Sequence, residues 1–349
     1  MNQLPASEPP HQQAIYEGLT PEVVLDAMDS AGLYADGRLL QLNSFENRVF
    51  QLFLEDGRPV VAKFYRPGRW TDAQILEEHA FASELMAEEI PVAAPLTLQI
   101  NAHARLRAIL LGDPPTLAQV CTDGAAFRFA VTGRQAGRAP ELESPATLEW
   151  IGRFIGRMHI VGARKPFDCR RALTMQEFGW ACRDWLLEHG DIPAVVQADW
   201  KVAVDAALQL AQDTFERVGA VEQLRLHGDC HVGNILWTDA GPHFVDLDDC
   251  LSGPAVQDLW MLLSGDPSAA KQQLRSLLKG YEQFRDFDDR ELTLIEPLRT
   301  LRIVHQCAWL AKRWTDPAFP PSFPWFGTDA YWRQITQQLQ QQASVDWAG

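Results

Sequence analysis

None of the six cysteines forms a C-x-x-C pair, so the usual ligand spacing of a structural zinc site is missing. No apolar run approaches the roughly 18 residues that a membrane-spanning helix needs. Met1 to Gln13 is polar, carries prolines and has no apolar centre. No secretory leader is therefore expected, and this stretch is expected to be disordered. Positive charge is scarce: 31 Lys and Arg stand against 46 Asp and Glu, a net charge of −15. That balance argues against a broad nucleic-acid or anionic-membrane surface. It would suit cationic substrates, although an acidic surface more often serves solubility. The chain also lacks internal repeats and low-complexity tracts. What remains is an ordinary globular composition, 46% hydrophobic and 22% charged. At 349 residues it exceeds one average core, which points to two lobes. A cytoplasmic monomer with reduced thiols is expected.

A helix is predicted from Pro21 to about Ala31, with Thr20 as cap, Pro21 at its first position and Gly32 at its exit. Extended segments at Leu39–Asn43 and Arg48–Leu54 flank a polar turn, Ser44-Phe45-Glu46-Asn47. Asp56-Gly57 is a hairpin signal, and Pro59–Tyr65 follows as a strand containing Lys63. Thr71-Asp72-Ala73-Gln74 fits a capping box opening a helix with Ile75, His79, Ala82 and Leu85-Met86 on one face. Irregular extended chain continues to a strand at Phe127–Val131. After Thr132-Gly133-Arg134 the texture becomes helical. One helix starts at Ser144-Pro145, and others are predicted over about 174–188, 197–218, 255–264, 268–283, 289–314 and 328–343. A small hairpin interrupts them, with Ile235-Leu236-Trp237 and His243-Phe244-Val245 around Asp239–Pro242. A strand-rich lobe over 1–133 followed by a helical lobe over 134–349 makes an α+β protein.

The densest polar cluster is His227-Gly228-Asp229-Cys230-His231-Val232-Gly233-Asn234, and twelve residues after Asn234 stands Asp246 in Val245-Asp246-Leu247-Asp248-Asp249. Phosphoryl transfer needs such a set. One carboxylate, Asp229, orients a hydroxyl and takes its proton. An amide oxygen, Asn234, and a second carboxylate, Asp246, hold magnesium on the phosphates. The bland reading is that these aspartates cap turns, which any one of them does as readily; the joint spacing argues against it. A metal site from His227, Cys230 and His231 is a further alternative, but adjacent residues point apart in extended chain.

The cluster resembles the H-x-D-x-x-x-x-N loop and metal aspartate of protein kinases, and H-G-D brings it nearer the aminoglycoside and choline kinase branch. Asn43–Val49, Val61–Pro67, Ile75–His79, His227–Trp237, Phe244–Asp249, Gly253–Trp260, Asp316–Pro320 and Phe323–Trp325 resemble the bacterial stress response kinase A family, over about residues 20–335. This resemblance implies a bilobal kinase fold, ATP and Mg2+ as cofactors, and transfer to protein serine or threonine hydroxyls, including autophosphorylation. It also implies a role in stress survival. Lys63 would then reach the ATP phosphates. Only one of the adjacent Glu77 and Glu78 can face it, since a helix turns about 100° per residue. The branch spacing selects Glu78 and leaves Glu77 solvated. Ser44 would lie at the ATP site, although a plain hairpin turn predicts the same residues. Asp258 would brace the catalytic loop, where a helix cap is the default. Asp248, two residues after Asp246, would point to the same side in extended chain, as a metal ligand or a partner of one.

Two departures stand out. There is no glycine-rich phosphate loop; Ser44–Asn47 takes its place. Only eleven residues separate Asp246 from Asp258, which leaves no room for a long activation loop. Activity independent of loop phosphorylation is expected. A small-alcohol kinase remains the alternative to a protein kinase, because fold does not settle the acceptor. The aromatics Trp309, Trp314, Phe319, Phe323, Trp325, Phe326, Tyr331 and Trp332 form either interhelical packing or a wall for a cationic amine. A scaffold without catalysis is the non-enzyme reading, and the presence of every catalytic residue type argues against it.

Overall fold

The computed structural model describes residues 15–122 and 124–342; the expectations for Met1 to Gln13 and for residue 343 lie outside them. The first helix, α1 (Pro21–Ser30), has Thr20 accepting the Val23 amide as its cap. Three antiparallel strands follow, β1 (Ala35–Leu42), β2 (Arg48–Leu54) and β3 (Pro59–Phe64). Helix α2 (Asp72–Ala87) opens on a complete Thr71/Gln74 capping box. Then come β4 (Ala108–Leu111), β5 (Leu117–Thr122) and β6 (Ala125–Gly133), giving the sheet order β1-β2-β3-β6-β5-β4.

The helical part contains α3 (Pro145–Gly162), a π turn at Gln176–Trp180, α4 (Ala181–His189) and α5 (Ala194–Val218). Strand β7 (Leu224–Leu226) and the hairpin β8 (Ile235–Thr238) and β9 (Gly241–Phe244) carry the central polar loops. β10 (Leu251–Gly253) pairs with β7. Next are α6 (Gln257–Trp260), α7 (Pro267–Tyr281), α8 (Ile295–Lys312), α9 (Phe319–Ser322) and α10 (Asp329–Gln341). The protein is thus α+β, an antiparallel-sheet lobe followed by a helical lobe.

Alternation along β3 turns Val60, Ala62 and Phe64 into the first core, with Phe50, Leu52, Phe129 and Met28, and leaves Val61 and Lys63 on the opposite face. The second core gathers around Ile151, Ile155, Trp200, Leu277, Tyr281, Leu301 and Trp332. Helices α3 and α7 approach closely because glycines meet backbone: a Cβ at Gly152 would collide with the Leu277 carbonyl, and one at Gly280 with that of Glu149.

Three expectations change. The helix over 255–264 shrinks to α6, whose four residues are all buried. Its apolar run reflects burial on every side, which periodicity cannot tell from an amphipathic helix. Met86 is 55% exposed and leaves the buried face of α2. β4, β5 and the β7/β10 pair were not anticipated; these runs of three to six residues are too short for a periodic signal.

Candidate active site

Lys63 leaves β3 on the face away from the core, and its Nζ lies 3.2 Å from Glu78 Oε1 and 3.4 Å from Asp246 Oδ1. Burial opposes the charge on Lys63, but Glu78, Asp248 and Asp246 outweigh it and hold the ammonium well above its ordinary range. Burial pushes the Glu78 carboxyl up and Lys63 pulls against it. With the ammonium so held, the geometry supports the ion pair. Behind Glu78, the next residue ties α2 to the sheet: His79 Nε2 is 2.8 Å from the Tyr65 hydroxyl and Nδ1 is 2.9 Å from Thr116 Oγ1. Burial lowers His79 to about 3, so it is a neutral strut.

Glu77 departs from its expected solvated role. Its carboxylate accepts the amides of Asp168, Cys169 and Arg170 at 2.5, 2.9 and 2.7 Å. It therefore fastens α2 to the helical lobe while Glu78 serves the cavity.

β7 delivers the polar loop. Asp258, fully buried, accepts the amides of His227 and Gly228 at 2.8 Å each and lies 3.1 Å from His159 Nε2. Gly228 has φ +82°, and a Cβ there would strike the Asp249 carbonyl, so no other residue suits the site. His227 Nε2 donates to the Val245 carbonyl at 2.9 Å, joining the loop to the segment after β9. Asn234 Nδ2 donates to the Asp229 carbonyl at 3.0 Å, which leaves Oδ1 as its uncommitted atom. Asp246 sits in the left-handed region at φ +61°. Its carboxylate is 56% exposed and borders the same cavity as Lys63 and Asn234.

Asp229 itself is 26% exposed, with Oδ1 2.8 Å from Arg302 Nη1 and Oδ2 3.5 Å from His231 Nε2. Burial would raise its carboxyl, but the His231 contact and the Arg302 charge prevail and hold it well below the usual carboxylate range. The alternative metal cluster is not assembled. Cys230 is fully buried, with burial pushing its thiol well up, whereas His231 is partly exposed on Asp229.

Asp248 does not extend beside Asp246, because Leu247–Asp249 coils into a 3₁₀ turn. Its side chain is only 3% exposed and is held by Arg69 and by Asn47 Nδ2 at 3.1 Å. Burial would raise it, but Lys63, Arg69 and Arg170 keep its carboxyl low. It is a buried ionic tie between the lobes rather than a group presented to solvent.

Ser44 borders the cavity, in the turn between β1 and β2. That turn is anchored across the lobes. Glu46 receives Trp309 Nε1 and Arg313 Nη2 at 2.8 Å each, and Phe45 packs on Phe323 with centroids 4.7 Å apart. Arg66 meets Asp316 at 2.9 Å. Lys63, Glu78, Ser44, Asp229, Asn234 and Asp246 thus border one cavity of about 940 Å³. The sequence reading missed Arg302, Arg69 and Glu46. Of these only Arg302 had a local signal, since Leu298, Arg302, His305, Gln306 and Trp309 follow helical spacing. Most of the C-terminal aromatics pack: Phe319 and Trp332 are fully buried. Trp309 and Phe323 border the cavity.

The residues present fit a divalent ion: a carboxylate and an uncommitted amide oxygen face one space beside a lysine.

Comparison with known proteins gives the family. Residues 38–292 match the model of the phosphotransferase enzyme family. Stress response kinase A of Escherichia coli strain K12 is 42% identical over 330 residues, covering 95% of this chain and 94% of that protein. The serine/threonine protein kinase RdoA of Salmonella typhimurium strain LT2 is 40% identical over the same shares. Among solved structures, amicoumacin kinase hAmiN superposes with a TM-score of 0.69 at 20% identity, covering 93% of this chain and 96% of that one. A microcompartment-associated aminopropanol kinase gives 0.65 at 17%, covering 92% and 99%. No helix among the described residues is long and apolar enough to cross a membrane. The chain belongs to the phosphotransferase enzyme family, in the group of stress response kinase A, and it is a kinase.

Proposed function

We propose that the protein is an ATP- and Mg2+-dependent serine/threonine protein kinase. The observation that carries this is the single cavity bordered by the Lys63–Glu78 pair, Asp246, Asn234 and Asp229. Val49 and Val61 on one side, with Leu236 and Val245 on the other, give apolar walls for a purine near Thr132–Gly137. Lys63 neutralises phosphate charge, and the Ser44–Asn47 turn offers amides and a hydroxyl to the phosphates. Asn234 and Asp246 would hold Mg2+, which when bound offsets the charge that builds on the transferring phosphoryl group. Asp229 accepts the hydrogen bond of the incoming hydroxyl and aims its oxygen. Its low proton affinity suits orientation more than strong base action, which matches a loose, phosphoryl-transfer transition state. The 40% identity to a protein named as a serine/threonine kinase supports a protein acceptor. Autophosphorylation belongs to the same proposal. The six free cysteines, four of them buried, support a reducing cytoplasmic setting.

A small-alcohol kinase is the second reading, favoured by the walled end of the cavity between Arg302, Trp309 and Phe323. A γ-labelled ATP assay offering serine peptides and simple alcohols separates the two. Asp229→Asn is expected to lower transfer by about 10²–10⁴-fold in either case. Unchanged turnover in that variant would remove Asp229 from the mechanism.

A further inference from the structure

Beyond Asp229 the cavity has one principal wall. Helix α8 presents Leu298, Arg302, His305, Gln306 and Trp309 to it, on the i, i+3, i+4 spacing that lines one helix face. Carboxylates of the cavity that could receive a cation are already engaged by cations of the chain itself, Glu78 and Asp246 by Lys63 and the others by arginines. Arg302 meets Asp229 at 2.8 Å, Arg69 meets Asp249 at 2.5 Å and also Asp248, and Arg313 meets Glu46 at 2.6 Å. Two of the aromatic faces are engaged too. The Arg313 guanidinium is 5.2 Å from the Trp309 centroid, and that of Arg171 is 5.1 Å from Phe178.

What is uncommitted has a different character. Among the described residues, the Gln306 amide and the His305 ring nitrogens have no hydrogen-bond partner, and Arg302 bonds Asp229 through Nη1 alone. Burial, with help from Arg171, lowers His305 to about 3, so it offers one donor and one acceptor without charge.

We propose that this wall selects the acceptor: it admits a hydroxyl flanked by neutral or acidic groups and rejects basic ones, with Arg302 as the specificity-determining residue. The proposal rests on the protein-kinase reading above and names its substrate class. A carboxylate or carbonyl beside the hydroxyl would accept from Arg302 Nη2 and the Gln306 amide as the hydroxyl reaches Asp229. An ammonium there would face the Arg302 guanidinium, and the carboxylates around it already have Arg302, Arg69 or Lys63 as partners. This is selection by repulsion as well as attraction.

The test uses the full chain, γ-labelled ATP and Mg2+, with serine peptides of one length that differ only in Glu, Ala or Lys beside the serine. The expected kcat/KM for the Glu and Ala peptides exceeds that for Lys by about tenfold or more. Arg302→Glu should move that ratio towards the Lys peptide by about tenfold, and Arg302→Lys should preserve the order. A purely structural defect would lower all three peptides alike. Preference of the native protein for the Lys peptide, or an unchanged ratio in Arg302→Glu, overturns the proposal. Glycerol and choline serve as a second pair. Labelling of glycerol over choline with no peptide labelled would refute the protein acceptor and leave the selectivity standing. Choline favoured over glycerol would refute the selectivity itself.

Discussion

Replacing Asp258 by Asn should unsettle the catalytic loop from a position that touches no substrate. The carboxylate accepts two main-chain amides at 2.8 Å and faces His159 Nε2 at 3.1 Å, all in a fully buried setting. Asparagine retains one oxygen and sets an NH₂ where the second oxygen received a donor. One loop amide then loses its acceptor, and a new buried donor faces it. Each unsatisfied buried donor costs about 1–3 kcal/mol, so the loss is expected near ~4 kcal/mol. That is a large part of the roughly 5–15 kcal/mol by which native proteins are stable. Urea unfolding with a fixed m-value measures it. Because Asp229 and Asn234 ride on this loop, kcat in the folded variant should also fall, with little change in KM for ATP. A loss below about 0.5 kcal/mol with full kcat would show that Asp258 does not brace the loop.

Glu78→Gln should lower kcat/KM for ATP by about 10²-fold. Glu77→Gln should leave ATP kinetics intact while lowering the unfolding midpoint, because Glu77 holds the 168–170 amides; reversed effects would exchange the two roles. Gly228→Ala should destabilise strongly, since φ is +82° and its Cβ meets the Asp249 carbonyl; a stability within about 0.5 kcal/mol of native would contradict this. Burial raises Glu291, which accepts the Val256 amide, from 4.5 to about 7. The native state therefore binds this proton more tightly than the unfolded chain. Its contribution is full below about 4.5 and is lost as pH rises through about 7. Relative to Glu291→Gln, stability should fall by up to ~1.4 kcal/mol per pH unit across that window; parallel pH curves in urea unfolding would refute it. Phosphatase treatment should leave the rate unchanged, because a 3₁₀ turn, β10 and α6 fill the chain between Asp246 and Asp258.

Much of the architecture was legible because its signals are local. The Thr71/Gln74 box, the proline at the start of α1 and the alternation in β3 act within a few residues. The five-residue step from Asp229 to Asn234 is likewise set by one turn of chain, where Asn234 Nδ2 closes back on the Asp229 carbonyl. Local pattern failed where burial on every side mimicked periodicity, as in α6. It also failed where a 3₁₀ turn replaced extended chain, as at Asp248.

By itself the sequence determined the order of strands and helices in outline and the residue types gathered for phosphoryl transfer, because short-range hydrogen bonding and spacing decide both. Only the tertiary structure decided which partner each charge takes. Glu46 meets Arg313 across 267 residues, Asn47 meets Asp248 across 201, and Arg302 meets Asp229 across 73. Such pairs leave no mark on neighbouring sequence. They exist because packing brings distant stretches of chain together, between the lobes for Glu46 and Asn47 and within the helical lobe for Arg302, and a charge taken from water is stable only when a partner is within reach.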